Sequence, residues 1–312
     1  MKQRPFKQVD VFTGTPYLGN PLAVVLDGSG LEDEAMQRFA RWTNLSETTF
    51  LLPPTDASAD YRVRIFTPGG ELPFAGHPTL GSCHSWLQAG GKPHAKDLIV
   101  QECKLGLVRI RREPRDIGGQ RLTFAAPPLK RSAPSPVLLA QIAGALGLKA
   151  SQILAAQLLD NGPVWLGLLL DSPGTVLRLA PNHLALQALQ THVGIAALYA
   201  PSETPALIAR ANREARAFDP PGHSAVAATG MPDLEVRAFV ASTSVYEDPV
   251  TGSLNASLAQ WLMADGHLTE RYVASQGACL ERAGQIYLTR DAQGQVWVGG
   301  EAVTCIDGVV TL

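Results

Sequence analysis

Hydrophobic positions along this chain come in short bursts rather than long periodic stripes. Gln8–Phe12, Leu22–Leu26, Thr49–Leu52, Tyr61–Phe66, Leu98–Glu102 and Leu107–Arg111 are rich in β-branched or aromatic residues and bounded by Gly, Pro or polar clusters, so they read as strands. Leu31–Trp42 differs. Leu31, Ala35, Phe39 and Trp42 fall on one face at helical spacing. A Pro-rich connector spans 125–136, followed by a helix over Val137–Leu146. Strand and helix segments resume at Val164, and Gln285–Leu288, Val296–Val298 and Glu301–Leu312 are again strand-like. The expected organisation is a first lobe over 1–126, a second over 127–299, and a last strand at about 300–312 returning to the first.

Two stretches resemble each other. Arg64-Ile65-Phe66 is followed by Phe74-Ala75-Gly76-His77-Pro78-Thr79-Leu80-Gly81-Ser82, and Arg237-Ala238-Phe239 by Tyr246-Glu247-Asp248-Pro249-Val250-Thr251-Gly252-Ser253. Each has Arg-x-Phe at a strand end, a short loop, a polar residue before Pro, and a helix-like run over Pro78–Ala89 or Pro249–Ala264. Matching the prolines makes His77 and Asp248 the N-caps, with Pro78 and Pro249 opening the helices. Asn44–Leu52 then corresponds to Val193–Ala200, which sets Glu47 against small apolar residues around Ile195–Ala197. A duplicated unit of strands wrapped on one helix is the simplest account.

Composition narrows the function classes. The 312 residues are 46% hydrophobic and 17% charged, enough for a core in each half, and the net charge of −2 offers no basic patch for nucleic acid. The most apolar run, Val164–Leu170, is far short of the ~18 residues of a membrane span. With no apolar signal region behind the N-terminal charges, a cytoplasmic location is expected. Cys83, Cys103, Cys279 and Cys305 are scattered without a Cys-x-x-Cys pair and read as reduced thiols. Phosphate-loop, dinucleotide, serine-hydrolase and zinc-protease patterns do not occur, and the histidines have no zinc spacing. His183, His192, His223 and His267 sit in no motif.

Two features remain for chemistry. Glycine early in both helices, at Gly81 and Gly252, costs roughly 1 kcal/mol relative to alanine and implies close approach to the backbone. Helix starts offer free N–H groups and partial positive charge, so two of them facing each other would cradle a carboxylate. Glu47 lies in Ser46-Glu47-Thr48-Thr49-Phe50 between a helix and a strand. It reads either as a solvated or capping carboxylate or, if half-buried, as a general base with a raised pKa.

Gly19-Asn20-Pro21-Leu22-Ala23-Val24-Val25, Ser46-Glu47-Thr48-Thr49-Phe50, Arg64-Ile65-Phe66-Thr67-Pro68, Phe74-Ala75-Gly76-His77-Pro78-Thr79 and Glu247-Asp248-Pro249-Val250-Thr251-Gly252-Ser253 occur in this order. Together they resemble the PhzF-like (phenazine-biosynthesis) isomerase family, a branch of the diaminopimelate-epimerase-like fold. The resemblance implies an α+β fold of two pseudo-symmetric lobes, each a curved, mostly antiparallel sheet or barrel around a central helix. It implies proton transfer within a dihydro-hydroxyanthranilate-like acid, with Glu47 catalytic and His77, Asp248 and Ser253 assisting. Gly76, Gly252, Thr251 and Asn20 would bind the substrate. The related epimerases and proline racemases place cysteines at the helix starts, where this chain has Ala75 and Asp248, so a two-thiol racemase is not expected. The expectation is Glu47 moving a proton between carbons on one face of a small carboxylic acid, without metal, nucleotide or redox cofactor, in a homodimer. An epimerase on an amino-acid-like substrate, needing a second acid or base opposite Glu47, and a non-catalytic acid-binding protein are the alternatives.

Overall fold

The computed structural model describes residues 1–114, 120–199, 231–240 and 245–312; His223 and Ala200 lie outside them. The N-terminal half holds strands β1 (Gln3–Val11), β2 (Asn20–Val25), β3 (Glu47–Leu52), β4 (Tyr61–Thr67), β5 (Gly70–Leu72), β6 (Leu98–Cys103), β7 (Gly106–Pro114) and β8 (Gln120–Ala125). Its helices are α1 (Asp33–Thr43) and α2 (Gly76–Gln88). The second half holds β9 (Lys130–Ser132), β10 (Ile153–Asp160), β11 (Val164–Leu170), β12 (His192–Leu198), β13 (Leu234–Phe239), β14 (Glu247–Asp248), β15 (Arg271–Gln276), β16 (Gly284–Arg290) and β17 (Val296–Gly300). Its helices are α3 (Pro136–Leu146), α4 (Pro173–Arg178), α5 (His183–Ala188) and α6 (Gly252–Ala264). The last strand, β18 (Ala302–Thr311), runs antiparallel along β1.

The strands join into one 18-stranded mixed sheet. Its pairings follow an open path, β18-β1-β2-β3-β4-β6-β7-β8 and then β17-β16-β15-β13-β12-β11-β10-β9, with β5 and β14 appended to β4 and β13. Among the described residues neither half closes into a barrel, because β18 and β9 each pair on one side only. The path is symmetric about the antiparallel β8–β17 pair. Each half repeats two parallel contacts, β2–β3 and β4–β6 in one and β11–β12 and β13–β15 in the other. Tight hairpins supply the antiparallel pairs, while parallel neighbours need longer crossovers.

One helix fills each concave face. α6 is Gly-Ser-Leu-Asn-Ala-Ser-Leu-Ala-Gln-Trp-Leu-Met-Ala, without a charge, and all but Gln260 and Ala264 are buried. Uncharged, small-residue sequences of this kind suit helices enclosed on every side. α2 is buried from Gly76 to Cys83. α1 is amphipathic and only Met36, Phe39 and Ala40 are buried, making a peripheral layer with Phe50 and Phe66.

Strand register places the duplication differently from the proline match. In the first half Phe66 pairs with Glu71, and in the second Phe239 pairs with Glu247. Arg64 holds Glu71 through Nε at 2.7 Å and Nη2 at 3.0 Å, and Arg237 holds Glu247 through both nitrogens at 2.8 Å. Glu71-Leu72-Pro73-Phe74-Ala75-Gly76-His77 therefore corresponds to Glu247-Asp248-Pro249-Val250-Thr251-Gly252-Ser253. The N-caps are Ala75 and Thr251, not His77 and Asp248. Pro78 sits inside its helix and Pro249 lies before its own, so the two prolines are not equivalent. Gly81 faces the core side chains of Val9, Val11 and Leu22 rather than the helix start.

The matched glycines are Gly76 and Gly252, where the two central helices meet head to head. A Cβ on Gly76 would stand 2.8 Å from the Gly252 Cα, and one on Gly252 would stand 2.9 Å from the Gly76 Cα. Both obstructions are backbone, so nothing flexible can yield. Gly252→Ala is expected to destabilise the fold by about 1–3 kcal/mol, as overpacking does. Urea unfolding measures this, and a variant as stable as wild type would show that the contact is not tight.

Candidate active site

The head-to-head contact brings the first N–H groups of α2 and α6 to one spot. Neither N-cap side chain accepts a hydrogen bond from its helix. A helix leaves its first N–H groups without intrahelical partners, so among the described residues both ends present free donors and partial positive charge.

Glu47 opens β3 and shares a side of that strand with Thr49, which accepts a hydrogen bond from Ser82 Oγ on α2 at 2.9 Å. The period of two along a strand aims Glu47 at the start of the same helix. There its Oε2 lies 3.3 Å from Nε2 of His77, the second residue of α2. The Glu47 side chain keeps 15% of its surface and His77 keeps 4%, so the pair is largely withdrawn from solvent. Neither Oε2 nor Nε2 has a well-formed hydrogen bond to any described residue.

Asp248 approaches from β14 of the other half. Its carboxylate accepts from Asn20 Nδ2 at 2.9 Å, Thr251 Oγ1 at 2.6 Å and Ser46 Oγ at 3.4 Å. Asn20 opens β2 and is fully buried. Its Nδ2 faces three acceptors: Asp248 Oδ1, the Val250 carbonyl at 2.9 Å and His77 Nδ1 at 3.3 Å. Only the amide nitrogen can satisfy that set, which fixes the amide orientation. An Nδ1 that accepts from Asn20 puts the imidazole proton on Nε2, facing Glu47. Ser253, second residue of α6, accepts from Trp165 Nε1 at 3.3 Å, and Asn161 Nδ2 donates to its carbonyl at 3.0 Å.

Burial governs the charges. Loss of water pushes the Glu47 carboxyl well above its ordinary range, and the nearby Asp248 charge pushes it further. Burial also raises Asp248, against the pull of Thr251, Asn20 and Ser46. His77 falls to about 3 by desolvation, so its imidazole is neutral around neutral pH. A neutral imidazole, a carboxyl that holds its proton more tightly than usual and two clusters of free N–H groups can bind an anion and exchange a proton with it.

The structure thus brings Asn20, Glu47, Gly76, His77, Asp248, Thr251, Gly252 and Ser253 into one cluster. Three details differ from the sequence reading. Asp248 acts as an acceptor hub rather than a cap. Thr251, not Asp248, occupies the place equivalent to Ala75. By register, Thr48 opposes Phe66 as Val193 opposes Phe239, so the counterpart of Glu47 is His192, not a small apolar residue near Ile195–Ala197. Sequence reasoning also missed Gln276. It accepts from Thr251 N at 3.0 Å and donates to Thr251 Oγ1 at 2.9 Å and to the Asp248 carbonyl at 3.0 Å. No motif surrounds Gln276; only the parallel β13–β15 pairing brings it there. The Glu71 and Glu247 partners were visible as a repeated Glu-x-Pro-x-x-Gly.

Comparison with known proteins fits this geometry. The family described as "Phenazine biosynthesis-like protein" matches residues 9–308. Antisense-enhancing sequence 1 of Schizosaccharomyces pombe is 33% identical, over 99% of this chain and 99% of its own. The trans-2,3-dihydro-3-hydroxyanthranilate isomerase of Pseudomonas aeruginosa is 39% identical over 57% of this chain and 61% of its own. A solved PhzF-family structure from Bacillus anthracis superposes with a TM-score of 0.78 over 100% of both chains at 22% identity, which speaks for the shared fold. A match over nearly the whole chain, joined to an end-to-end relative, means that this protein belongs to the PhzF-like phenazine-biosynthesis family.

Proposed function

We propose that this protein is a cofactor-independent isomerase that moves a proton between carbons of a small carboxylic acid bound where the two central helices meet. The observation that carries the reading is the buried Glu47–His77 contact, 3.3 Å long, at the junction of two uncapped helix starts. A dihydro-hydroxyanthranilate-like substrate is the first to test, since a relative sharing over half of this chain is named for that reaction.

The substrate carboxylate takes the free N–H groups near Gly76-His77 and Gly252-Ser253, where charge that develops on it during reaction is met by fixed dipoles. Glu47 takes a proton from carbon, and the electron pair of that bond passes into the conjugated system toward the bound carboxylate. Return of a proton to a second carbon completes the isomerisation. A raised pKa makes the Glu47 carboxylate a stronger base and lets its acid form survive until the return step. Neutral His77, its proton directed to Nε2, orients Glu47 without competing for the proton. Asp248 keeps the Glu47 pKa high through like charge and holds Thr251 at the start of α6.

Glu47→Gln keeps the shape and removes the base. Deuterium uptake from heavy water into trans-2,3-dihydro-3-hydroxyanthranilate and a panel of small cyclic and acyclic acids is expected to fall about 10²–10⁴-fold. Uptake near the wild-type rate in that variant rejects the assignment. Asp248→Asn removes a like charge, so the Glu47-dependent limb of the pH–rate profile should move to lower pH, with rate falling more than binding. Unchanged kinetics would leave Asp248 a purely structural acceptor.

The same pKa shift sets a stability test. A carboxyl whose pKa is raised on folding favours the fold below its unfolded value, 4.5, and that contribution is lost as pH rises through the folded value. Glu47→Gln cannot ionise. Its melting temperature should gain on wild type as pH rises above 4.5, where the unfolded carboxyl ionises and the buried one still resists. A constant difference would place Glu47 in water rather than in the cluster.

A further inference from the structure

The second half carries its own version of the Glu47 station, and its residues are unused by the reaction described so far. His192 opens β12 as Glu47 opens β3. His192 pairs with Trp165 on β11 as Glu47 pairs with Leu22 on β2. Strand parity sets the direction of the side chain. A Cβ on Gly194, two residues on, would strike Leu254 in the first turn of α6, so His192 faces the α6 side of the sheet near that helix start. Its ring lies 5.2 Å from the Trp165 ring, whose Nε1 donates to Ser253 Oγ, and Ser253 is the counterpart of His77. His192 stays partly exposed, and beside this group Asn161 is buried with its Oδ1 unpartnered among the described residues.

We propose that His192 is a second proton-carrying group, meeting the bound acid from the second half on the face opposite Glu47. The inference rests on Glu47 being the carrier of the first half. In the direction that returns product to substrate, a His192 ring nitrogen takes the proton from carbon, and the electron pair of that bond enters the conjugated system. The pair returns at a second carbon, which takes the O–H proton of Glu47 from the other face. Imidazolium and carboxylate remain, and proton exchange with solvent restores neutral imidazole and carboxylic acid. Burial lowers His192 as it raises Glu47, which favours that neutral resting pair. The reverse direction starts from the charged pair. With one carbon as both donor and acceptor, the same two groups would invert a stereocentre.

Two measurements test this. Bromoacetate, a small carboxylate, alkylates an imidazole nitrogen as the N–C bond forms and bromide leaves. Peptide mass spectrometry should find His192 modified several times faster by bromoacetate than by neutral bromoacetamide, with protection by the planar acid 3-hydroxyanthranilate. Exposed His94 serves as the reference and should show neither preference nor protection. His192 unmodified, or behaving like His94, overturns the proposal whether or not any acid is turned over. In the second measurement, His192→Gln acts on trans-2,3-dihydro-3-hydroxyanthranilate in heavy water. Product formation should fall about 10²-fold or more while exchange at the carbon facing Glu47 persists. Full turnover with an unchanged stereochemical course overturns the role of His192 and leaves that of Glu47 standing. Loss of exchange in wild type as well counts against the proposed function itself, while the alkylation result still decides where His192 points.

Discussion

Everything in this fold is arranged around two helix starts that touch backbone to backbone. Gly76 and Gly252 are the residues that permit it, since a side chain on either would occupy the other's main chain. The contact has an electrostatic cost, because two partial positive charges are brought together and no capping side chain relieves them. The most direct relief is an anion. The protein's own carboxyls, Glu47 and Asp248, approach the junction, but burial raises the cost of ionising both, and the Asp248 charge raises that of Glu47 further. The junction is therefore a place where negative charge is favoured and only partly supplied, which suits the small acid of the proposed function better than a neutral molecule.

The strands exist to hold that junction. Each half wraps its sheet on a central helix, and the halves are tied by the β8–β17 pair and by the return of β18 along β1. The loop before each helix is fixed by a bidentate Arg–Glu pair, Arg64 with Glu71 and Arg237 with Glu247. Such forks fix orientation as well as distance. The second pair is almost fully buried, and Arg237 also donates to the Val176 and Leu179 carbonyls, so its charge is nowhere left unanswered.

Much of this was legible in the sequence, for reasons particular residues make clear. Arg-x-Phe twice at strand ends exposed the duplication, and helix-like runs followed each copy. Glu47 stood out through its motif, since its surroundings alone left a capping carboxylate equally open. The register of the copies was not legible from the prolines. His77-Pro78 and Asp248-Pro249 look alike locally, yet one lies inside a helix and the other before one. The true register is set by hairpin pairing, a contact the Glu-x-Pro-x-x-Gly repeat reports only once Glu71 and Glu247 are known to hold arginines. Gln276, Asn161 and Trp165 carried no local signal, since sheet order alone brings them to the junction. The same shift concealed the counterpart of Glu47.

With the register corrected, the halves share the Gly76–Gly252 pair and diverge at most other positions of the site, and those divergences are where chemistry can reside. Leu72 becomes Asp248, His77 becomes Ser253, Leu22 becomes Trp165 and Glu47 becomes His192. A symmetric pair of helix starts can grip a carboxylate but cannot distinguish its two faces. In the proposal made above, a carboxyl with a raised pKa on one side and an imidazole with a lowered one on the other break that symmetry with groups whose neutral forms are complementary, one able to give a proton and the other to take it. Asp248, contributed by the second half but bonded to Asn20 and Ser46 of the first, then links the two sides. Its charge state bears at once on how tightly Glu47 keeps its proton and on how Thr251 is held at the start of α6. On the proposed reading, recognition belongs to what the duplication preserved and reaction to what it allowed to drift apart.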